Sequence, residues 1–189
     1  MNAVAASAAF ETERLRVRSL CAADEALYCS LYTDARLMRH IGPPLDAPQA
    51  RRSFRAAVSA AARQPPRHVY FSLYDRQHDH ALGVCAVRDI DLEHKRAEIG
   101  LMLRREAHAS GIAREGLQAV MAWSFRELPI DQLYGQTDSA NLAACRAARR
   151  AGFSAQAGGD TGGAAASSCM FLFNRPVSRN RSSTSQSKE

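Results

Sequence analysis

The alternation of hydrophobic and polar residues along the chain predicts a succession of strands and helices. Residues 13–20, ERLRVRSL, alternate apolar and basic side chains, which is typical of a half-buried strand near a sheet edge. Helical spacing begins at Ala23 or Asp24 and continues through the segment that follows. A second helix is predicted over residues 48–63, because Asp46 is placed to cap it and a proline occupies its first turn.

Strand-like runs and one amphipathic helix occupy the middle of the chain. Apolar runs at 68–75, 81–91 and 96–103 are separated by short turn segments, which favours an antiparallel meander. A helix with an apolar stripe at 3.6-residue spacing is predicted from 111 to 126. A short strand follows at 132–137, so the two strands that flank this helix should be parallel neighbours.

The remaining elements complete the predicted fold. The helix that follows Asn141 ends at Gly152, a typical C-cap residue, and the last strand is predicted at 169–175. Leu101 and Leu133 should lie on the two neighbouring parallel strands. Together the elements predict an α/β (α+β) domain with a mixed, mostly antiparallel central sheet, one parallel strand–helix–strand unit and helices on both faces.

Length and composition indicate a single globular domain with flexible ends. The chain has 189 residues, of which 46% are hydrophobic and 23% are charged. We expect a flexible N-terminus over residues 1–9, one domain over 10–175 and a disordered, serine-rich tail over 176–189. No apolar run has membrane-spanning length and no basic segment precedes the N-terminal apolar residues, so a cytoplasmic protein without a membrane partner is predicted.

The charge and the cysteine and histidine content narrow the functional classes. The net charge of +6 comes almost entirely from arginine, since Lys95 and Lys188 are the only lysines. A basic surface favours anionic partners, but the chain has no recognised nucleic-acid-binding motif, so nucleic acid is not the expected partner. The five cysteines have no CxxC spacing, and His78 and His80 lie in a segment of turn composition. We therefore predict no metal site and interpret both histidines as solvated turn residues.

The segment RREAHASGIAREG, residues 104–116, joins a strand to a helix with small residues and a glycine near its centre. Gly111 permits a positive φ or a close backbone approach, and helix N-termini bind anions through free N–H groups. Arg104, Arg105 and Arg114 add positive charge. The segment matches neither the Walker A pattern nor GxGxxG. Two interpretations stay open: a tight strand–helix connection, or a loop that binds a phosphate.

Several segments, in the correct order, resemble the GNAT N-acetyltransferases. HASGIA, residues 108–113, is similar to the pyrophosphate-binding loop of that family, and EIGLML, residues 98–103, to the strand before it. DSANLAACRAARRAGF, residues 138–153, resembles a later helix of the family. The opening segment, residues 11–34, is similar to that of the RimJ/RimL-like branch, which acetylates protein N-terminal amines. The resemblance covers residues 10–175 in element order.

The resemblance implies acetyl-CoA as cosubstrate. The backbone of Leu101–Leu103 would pair with the pantetheine arm, the N–H groups of Ala109–Ala113 would bind the pyrophosphate, and Asn141 would hydrogen-bond the pantetheine amides. For Asn141 the alternative is an ordinary residue at a helix N-terminus. His108 stands where the family has Gln or Arg. The residues implied in cofactor binding are Leu101, Met102, Leu103, His108, Ala109, Ser110, Gly111, Ile112, Ala113, Arg114, Asn141 and Ala144.

The reaction that the resemblance implies is direct attack of a neutral amine on the thioester. Glu98 is the candidate general base, and the alternative is a solvated strand residue or a partner for Arg96. A backbone N–H near Met102 would stabilise the oxyanion. Ala148 stands where many members carry a tyrosine, so the general acid is unassigned. Tyr134 is the substitute candidate, with a core or cleft-wall aromatic as the alternative interpretation.

The sequence therefore predicts an acetyl-CoA-dependent N-acetyltransferase that acts on a primary amine, such as a protein N-terminal amine. The alternative is an acyl-CoA-binding module of the same fold with little or no turnover, which the missing general acid favours. Residues 32–44 should shape the acceptor site, where Arg36, Arg39 and His40 either favour an acidic acceptor or are ordinary solvated charges. Homodimers are common among similar proteins, although the sequence identifies no interface.

Overall fold

The computed structural model describes residues 8–60, 65–156 and 168–176. Within these ranges, no helix combines the length and the apolar character needed to cross a membrane. The helices are α1 (Glu25–Tyr32), α2 (Ala35–Met38), α3 (Ala47–Ala60), α4 (Ile112–Glu127) and α5 (Leu142–Ala151). The strands are β1 (Ala9–Glu11), β2 (Leu15–Ser19), β3 (Val69–Asp75), β4 (Ala81–Asp91), β5 (Arg96–Leu103), β6 (Gln132–Asp138), β7 (Ser154–Gln156) and β8 (Ser168–Asn174).

The strands form one eight-stranded sheet in the order β1-β2-β3-β4-β5-β6-β8-β7. Neighbouring strands are antiparallel from β1 to β5 and again from β6 through β8 to β7. β5 and β6 are parallel, because α4 carries the chain back between them. The predicted meander, the parallel strand–helix–strand unit and the neighbouring strands that carry Leu101 and Leu133 are confirmed.

Helices cover both faces of the sheet, as predicted, because strand side chains alternate between them. On one face, Phe71 of β3 packs against Trp123 of α4, with their ring centroids 4.8 Å apart. On the other face, Val84 of β4 belongs to a buried cluster with Leu31 of α1 and Phe54 of α3. Each such fully buried side chain stabilises the fold by about 1.5–3 kcal/mol relative to exposure. The two apolar layers fix the sheet between two sets of helices.

Local sequence signals set the helix ends. The Asp46 carboxylate accepts the N–H of Gln49 at 2.7 Å, and the Gln49 side chain accepts the N–H of Asp46 at 2.9 Å, so the predicted cap of α3 is a capping box. The helix α5 ends at Gly152, whose φ of +107° satisfies the left-handed C-cap predicted there.

The observed boundaries differ from the predicted ones mainly at short elements. β1 begins at Ala9 and the carbonyl of Ala8 accepts the N–H of Ser19 at 2.8 Å, so the expected flexibility of residues 1–9 is wrong for the last two of them. Phe10 holds this strand by packing edge-on against Phe71. The sequence did not locate α2, which has four residues, or β7, whose three side chains are all exposed. Short elements without apolar periodicity give little signal.

Several predictions fall on parts of the chain that the structure leaves out. The predicted end of the second helix at 61–63, the glycine- and alanine-rich segment 157–167 and the tail from 177 onward lie outside the described residues. They stay predictions.

A buried carboxylate joins β2, β3 and the start of α1. Asp24 is fully buried and accepts two hydrogen bonds of 2.8 Å from Arg18, in a bidentate pair. Tyr74 donates at 2.6 Å, Ser72 at 3.1 Å and the N–H of Cys21 at 2.9 Å. A buried charge is tolerated when it is paired and its remaining lone pairs are satisfied, and Asp24 meets both conditions.

We predict that Asp24→Ala lowers the free energy of unfolding by about 3 kcal/mol, since it removes one partner of a buried pair while Arg18 keeps some access to solvent. Urea unfolding at pH 7 measures the change. Glu13→Ala is the matched control, because it removes an exposed carboxylate just before β2. It should change the free energy of unfolding by about 0.5 kcal/mol or less. Equal effects of the two substitutions would contradict the prediction.

The same carboxylate makes stability depend on pH. Burial opposes ionisation of Asp24, but the hydrogen bonds from Arg18 and Tyr74 lower its pKa below the ordinary 3.8. Because the folded pKa is the lower one, the stabilisation is present above the unfolded pKa and is lost as the pH falls through the folded pKa. Below about pH 4, the stability of the wild-type protein should therefore fall more steeply than that of Asp24→Ala.

Candidate active site

A gap opens between β5 and β6 because their parallel pairing is short. Pairing joins residues 96–98 to 132–134, and β5 then continues to Leu103 without a partner on that side within the described chain. Immediately after the last pair, a Cβ on Gly135 would lie 3.2 Å from the carbonyl oxygen of Ile99. Glycine therefore allows close approach of the two strands just before they separate.

The backbone of β5, not its side chains, forms the edge of this gap. Leu101 packs with the apolar cluster under α4, and Met102 packs with the cluster under α1 and α3. Leu103 is buried. Because backbone groups alternate along a strand, the N–H and C=O groups of Leu101 and Leu103 are directed into the gap. Those of Met102 face β4, where its carbonyl oxygen lies beside Gly83, so the oxyanion contact predicted at Met102 is wrong for that residue. An extended ligand with amide groups is complementary to such an edge.

The loop after β5 presents a row of free backbone N–H groups. After a 3-10 turn at Arg105–Ala107, φ is positive at Ala109 (+59°) and at Gly111 (+84°). The N–H groups from Ala109 to Ala113 make no hydrogen bond to any group in the described parts of the chain. Residues 109–111 are exposed. Successive free donors at the N-terminus of a 16-residue helix form an anion-binding concavity.

Arg14 fixes this loop from the opposite side. Its Nη1 donates to the carbonyl of Ser110 at 2.8 Å, and its Nε and Nη2 both contact Oε2 of Glu115 at 2.7 Å. Partial burial opposes ionisation of Glu115, but hydrogen bonds from Thr12 and from Arg14 lower its pKa. Gly111 is close to the same guanidinium, since a Cβ there would lie 3.2 Å from Arg14 Nη2. The first turn of α4 and the loop are therefore held as one unit.

His108 and Asn141 both make local hydrogen bonds at the ends of the gap. His108 Nε2 lies 3.1 Å from the carbonyl oxygen of Leu103, so the ring ties the loop to the end of β5. Asn141 caps α5, and its Oδ1 accepts the N–H of Ala144 at 3.1 Å. The cap agrees with the interpretation of Asn141 as a residue at a helix N-terminus. Its amide nitrogen, Nδ2, makes no hydrogen bond among the described residues. Ala148, in the place of a possible tyrosine acid, packs against the core.

Glu98 lies at the base of the gap, opposite Tyr134 in the parallel register. Its Oε1 accepts a hydrogen bond of 2.7 Å from Nη2 of Arg88 on β4. The ion-pair partner of Glu98 is therefore Arg88, and the pairing with Arg96 that the sequence suggested is wrong. The guanidinium of Arg96 lies instead 6.0 Å from the ring centroid of Tyr134. The other oxygen, Oε2, accepts no hydrogen bond from any residue that the structure describes. Glu98 is 19% exposed, so this oxygen is available for proton transfer.

The groups around Glu98 stay protonated near neutral pH. Burial opposes the charge of Arg88, but the Glu98 carboxylate and the hydroxyls of Tyr70 and Tyr32 raise its pKa. Partial burial and the Glu98 charge raise the pKa of Tyr134. The Tyr134 hydroxyl is consequently a proton donor, which a candidate general acid must be.

A second polar contact closes the side of the gap near α5. His40 Nδ1 lies 2.8 Å from Oδ2 of Asp138, at the end of β6, and Oδ1 of Asp138 accepts the N–H of Ala140. The hydrogen bond to His40 lowers the pKa of Asp138. This contact connects residues 32–44, the predicted acceptor segment, to the strand that borders the gap.

Sequence reasoning did not identify Arg14, Arg88 or Asp138 as site residues. The partners of Arg14 and Asp138 are 101 and 98 residues away, so only the fold brings them together. Arg88 left a usable signal, because it stands directly opposite Glu98 in the β4–β5 pairing. Opposite charges across a predicted hairpin would have suggested the pair once the register was fixed.

The fold is that of a class of acetyltransferases. Residues 14–154 match the acetyltransferase (GNAT) domain, and the chain belongs to that family. Among curated proteins, the uncharacterized N-acetyltransferase p20 of Bacillus licheniformis is 27% identical over 132 residues, which cover 69% of this chain and 73% of that protein.

Solved structures share the fold at low sequence identity. RimL, a ribosomal L7/L12 alpha-N-protein acetyltransferase in complex with coenzyme A, matches with a TM-score of 0.77 and 18% identity over 88% of this chain and 98% of that one. Spermidine N-acetyltransferase from Vibrio cholerae, in complex with CoA and spermine, matches with a TM-score of 0.72 and 16% identity over 86% and 96%. The predicted GNAT-like mixed sheet is confirmed.

We predict a coupling energy of about 1 kcal/mol between Arg14 and Glu115, because the contact is multidentate and only partly exposed. A double-mutant cycle of Arg14→Ala and Glu115→Ala, followed by urea unfolding, measures it. Arg126 and Glu127 form a comparable exposed pair on the same helix and should couple by about 0.3 kcal/mol or less. Coupling of the first pair no larger than that of the second would disprove the anchoring role of Arg14.

Proposed function

We propose that this protein transfers the acetyl group of acetyl-CoA to a primary amine, with a protein N-terminal amine as the acceptor. One observation carries the proposal: the open edge of β5 leads directly into the free N–H groups of residues 109–113. A ligand with an extended amide-containing arm and a pyrophosphate matches this arrangement. Acetyl-CoA is such a ligand, and both structural relatives above are described in complex with coenzyme A.

The residues present suit each part of acetyl-CoA. The β5 backbone from Leu101 to Leu103 would pair with the pantetheine amides, and the free N–H groups of the loop would bind the pyrophosphate. Arg114, in the exposed first turn of α4, adds positive charge beside them. Nδ2 of Asn141 would donate to a pantetheine carbonyl. His108 and Arg14 act here as positioning residues, because both hold the loop through backbone carbonyls.

The catalytic steps follow from the groups at the base of the gap. The amine must lose a proton before it attacks the thioester carbonyl, and Oε2 of Glu98 accepts that proton, through water. The oxyanion that forms is stabilised by the N–H of Leu101 or Leu103, because the Met102 backbone faces β4 and its carbonyl oxygen lies beside Gly83. The carbon–sulfur bond then breaks, and the Tyr134 hydroxyl gives its proton to the leaving thiolate. The attacking nitrogen loses its second proton as the amide forms, and that proton returns the tyrosinate to the phenol, while Glu98 releases the first proton to water.

The charges near the gap favour a single amine over a polyamine. Among the described residues, Glu98 and Asp138 border the gap and are each hydrogen-bonded to a basic residue, Arg88 and His40, and the Asp89 charge acts on Tyr134. Unpaired acidic groups along the site favour a polycationic acceptor such as spermidine, because each opposite charge adds Coulomb attraction. A peptide N-terminus brings one positive charge and its own amide groups, so it suits this surface better. The relatives named as acetyltransferases give no support to the alternative of a binding module without turnover.

Gly111→Glu should weaken acetyl-CoA binding at least about tenfold, because it places a carboxylate beside the pyrophosphate and a side chain where φ is +84°. Isothermal titration calorimetry measures the affinity. Gly42→Glu adds the same side chain where nothing lies within 4 Å of its Cβ, and it should bind like the wild-type protein. Unchanged binding by Gly111→Glu, or none by the wild-type protein, would remove the cofactor site from these residues.

Glu98→Gln should lower kcat about a hundredfold or more while leaving the affinity for acetyl-CoA unchanged, because glutamine cannot accept the proton. Thiol release from acetyl-CoA is followed with peptides that have a free N-terminus, with the same peptides N-terminally blocked, and with spermidine. Glu93→Gln, on the exposed turn before β5, is the matched control and should keep full activity. Turnover with spermidine but not with free-N-terminus peptides would contradict the proposed acceptor. A wild-type rate in Glu98→Gln would contradict the role of Glu98 as general base.

A further inference from the structure

Two hairpin turns of the sheet have the same backbone design. In the β3–β4 turn, Oδ1 of Asp75 accepts the N–H groups of Gln77 and His78. In the β4–β5 turn, Oδ1 of Asp91 accepts the N–H groups of Glu93 and His94 in the same way.

The similarity extends to the end of each turn. The fifth residue has a positive φ in both turns, +56° at Asp79 and +52° at Lys95. In both, the histidine ring also contacts the aspartate: Nδ1 of His78 lies 3.1 Å from Asp75, and Nδ1 of His94 lies 2.7 Å from Asp91.

The turns differ at their sixth residue, which lies opposite the aspartate. That residue is His80 in the first turn and Arg96 in the second. The N–H of Asp75 donates to the carbonyl of His80 at 2.9 Å, so the two residues form a cross-strand pair. Side chains of a cross-strand pair lie on the same face of the sheet, so the His80 imidazole lies beside Asp75 and beside the His78 imidazole.

We propose that Asp75, His78 and His80 bind one divalent transition-metal ion, with zinc as the probe. One ligand atom from each of the three side chains lies within 4.8 Å of the other two. Ligands of a tetrahedral zinc ion lie about 3.3 Å apart, and the Asp75–His78 separation of 3.1 Å already matches this. Two imidazoles and a carboxylate are a usual zinc set, with water or another ligand in the fourth position. Both histidines are exposed at the turn, as the sequence predicted, and the proposal adds a ligand role to them.

The surroundings of the turn are suited to a cation. The nearby guanidinium of Arg16 is paired with Asp79, so its charge is directed to that carboxylate. Asp75 and His80 also line a cavity of about 540 Å³, which Glu13 and Glu106 border together with Arg14 and Arg76. Both of these guanidinium groups are paired outside the turn, Arg14 with Glu115 and Arg76 with Glu11. Ser110, from the phosphate-binding loop, lines the same cavity. The metal would therefore lie beside the cofactor site without using any of the residues assigned to it.

Zinc titration of the untagged 189-residue chain at pH 7.5, by calorimetry, tests the site. The wild-type protein should bind one equivalent at the turn. His80→Arg, which gives the first turn the ligand set of the second, should weaken zinc binding at least about tenfold. Arg96→His makes the reciprocal change and should add a second equivalent. His94→Ala, a histidine removed from the two-ligand turn, should bind like the wild-type protein.

The outcomes separate this site from other zinc ligands such as the exposed Cys21. Binding that His80→Arg retains, or that His94→Ala loses equally, would overturn the proposal, as would the absence of zinc binding by the wild-type protein. Equal affinity for magnesium would also overturn it, because imidazole ligands select transition metals. Each variant alters an exposed turn, and circular dichroism checks that it is folded. The result is independent of acetyl transfer, since no readout involves acetyl-CoA.

Discussion

The site depends on the fact that β5 and β6 are joined at only three positions, residues 96–98 with 132–134. Longer pairing would close the gap and satisfy the β5 backbone with a strand in place of a ligand. α4 begins close to the end of β5, so the loop between them brings free N–H groups to the end of the open edge. Glu98 and Tyr134 are the last pair before the strands separate, which puts the candidate chemistry at the base of the gap.

Part of the arginine content has a structural role inside the fold. Arg18 pairs with the buried Asp24, Arg14 with Glu115 and Arg88 with Glu98. Each pair joins separate elements: β2 to the start of α1, the segment before β2 to α4, and β4 to β5. A basic sequence therefore does not by itself imply a nucleic-acid partner. Here several of its cations hold carboxylates in place, and two of those pairs border the candidate site.

The sequence predicted the elements that carry strong periodicity or clear end signals. α4, with its apolar stripe, and α5, with Gly152 as C-cap, were located to within a residue or two. Small residues and a glycine before a helix predicted that the loop HASGIA exposes its N–H groups, and those of residues 109–113 make no hydrogen bond within the described chain. α2, β7 and the pairing of residues 8 and 9 gave no such signal. Their positions follow from docking against the sheet edge and the other helices, which local patterns do not encode.

By itself, the sequence determined the order of the elements, the parallel strand–helix–strand unit and the position of the loop between β5 and α4, because periodicity and backbone conformation are local properties. It also placed Glu98 on the strand before the loop. Only the tertiary structure decided which groups meet: Arg88 and not Arg96 beside Glu98, His40 against Asp138, and Arg14 behind the loop. Pairing between residues distant in the chain is set by sheet register and helix packing, which exist only once the domain has folded.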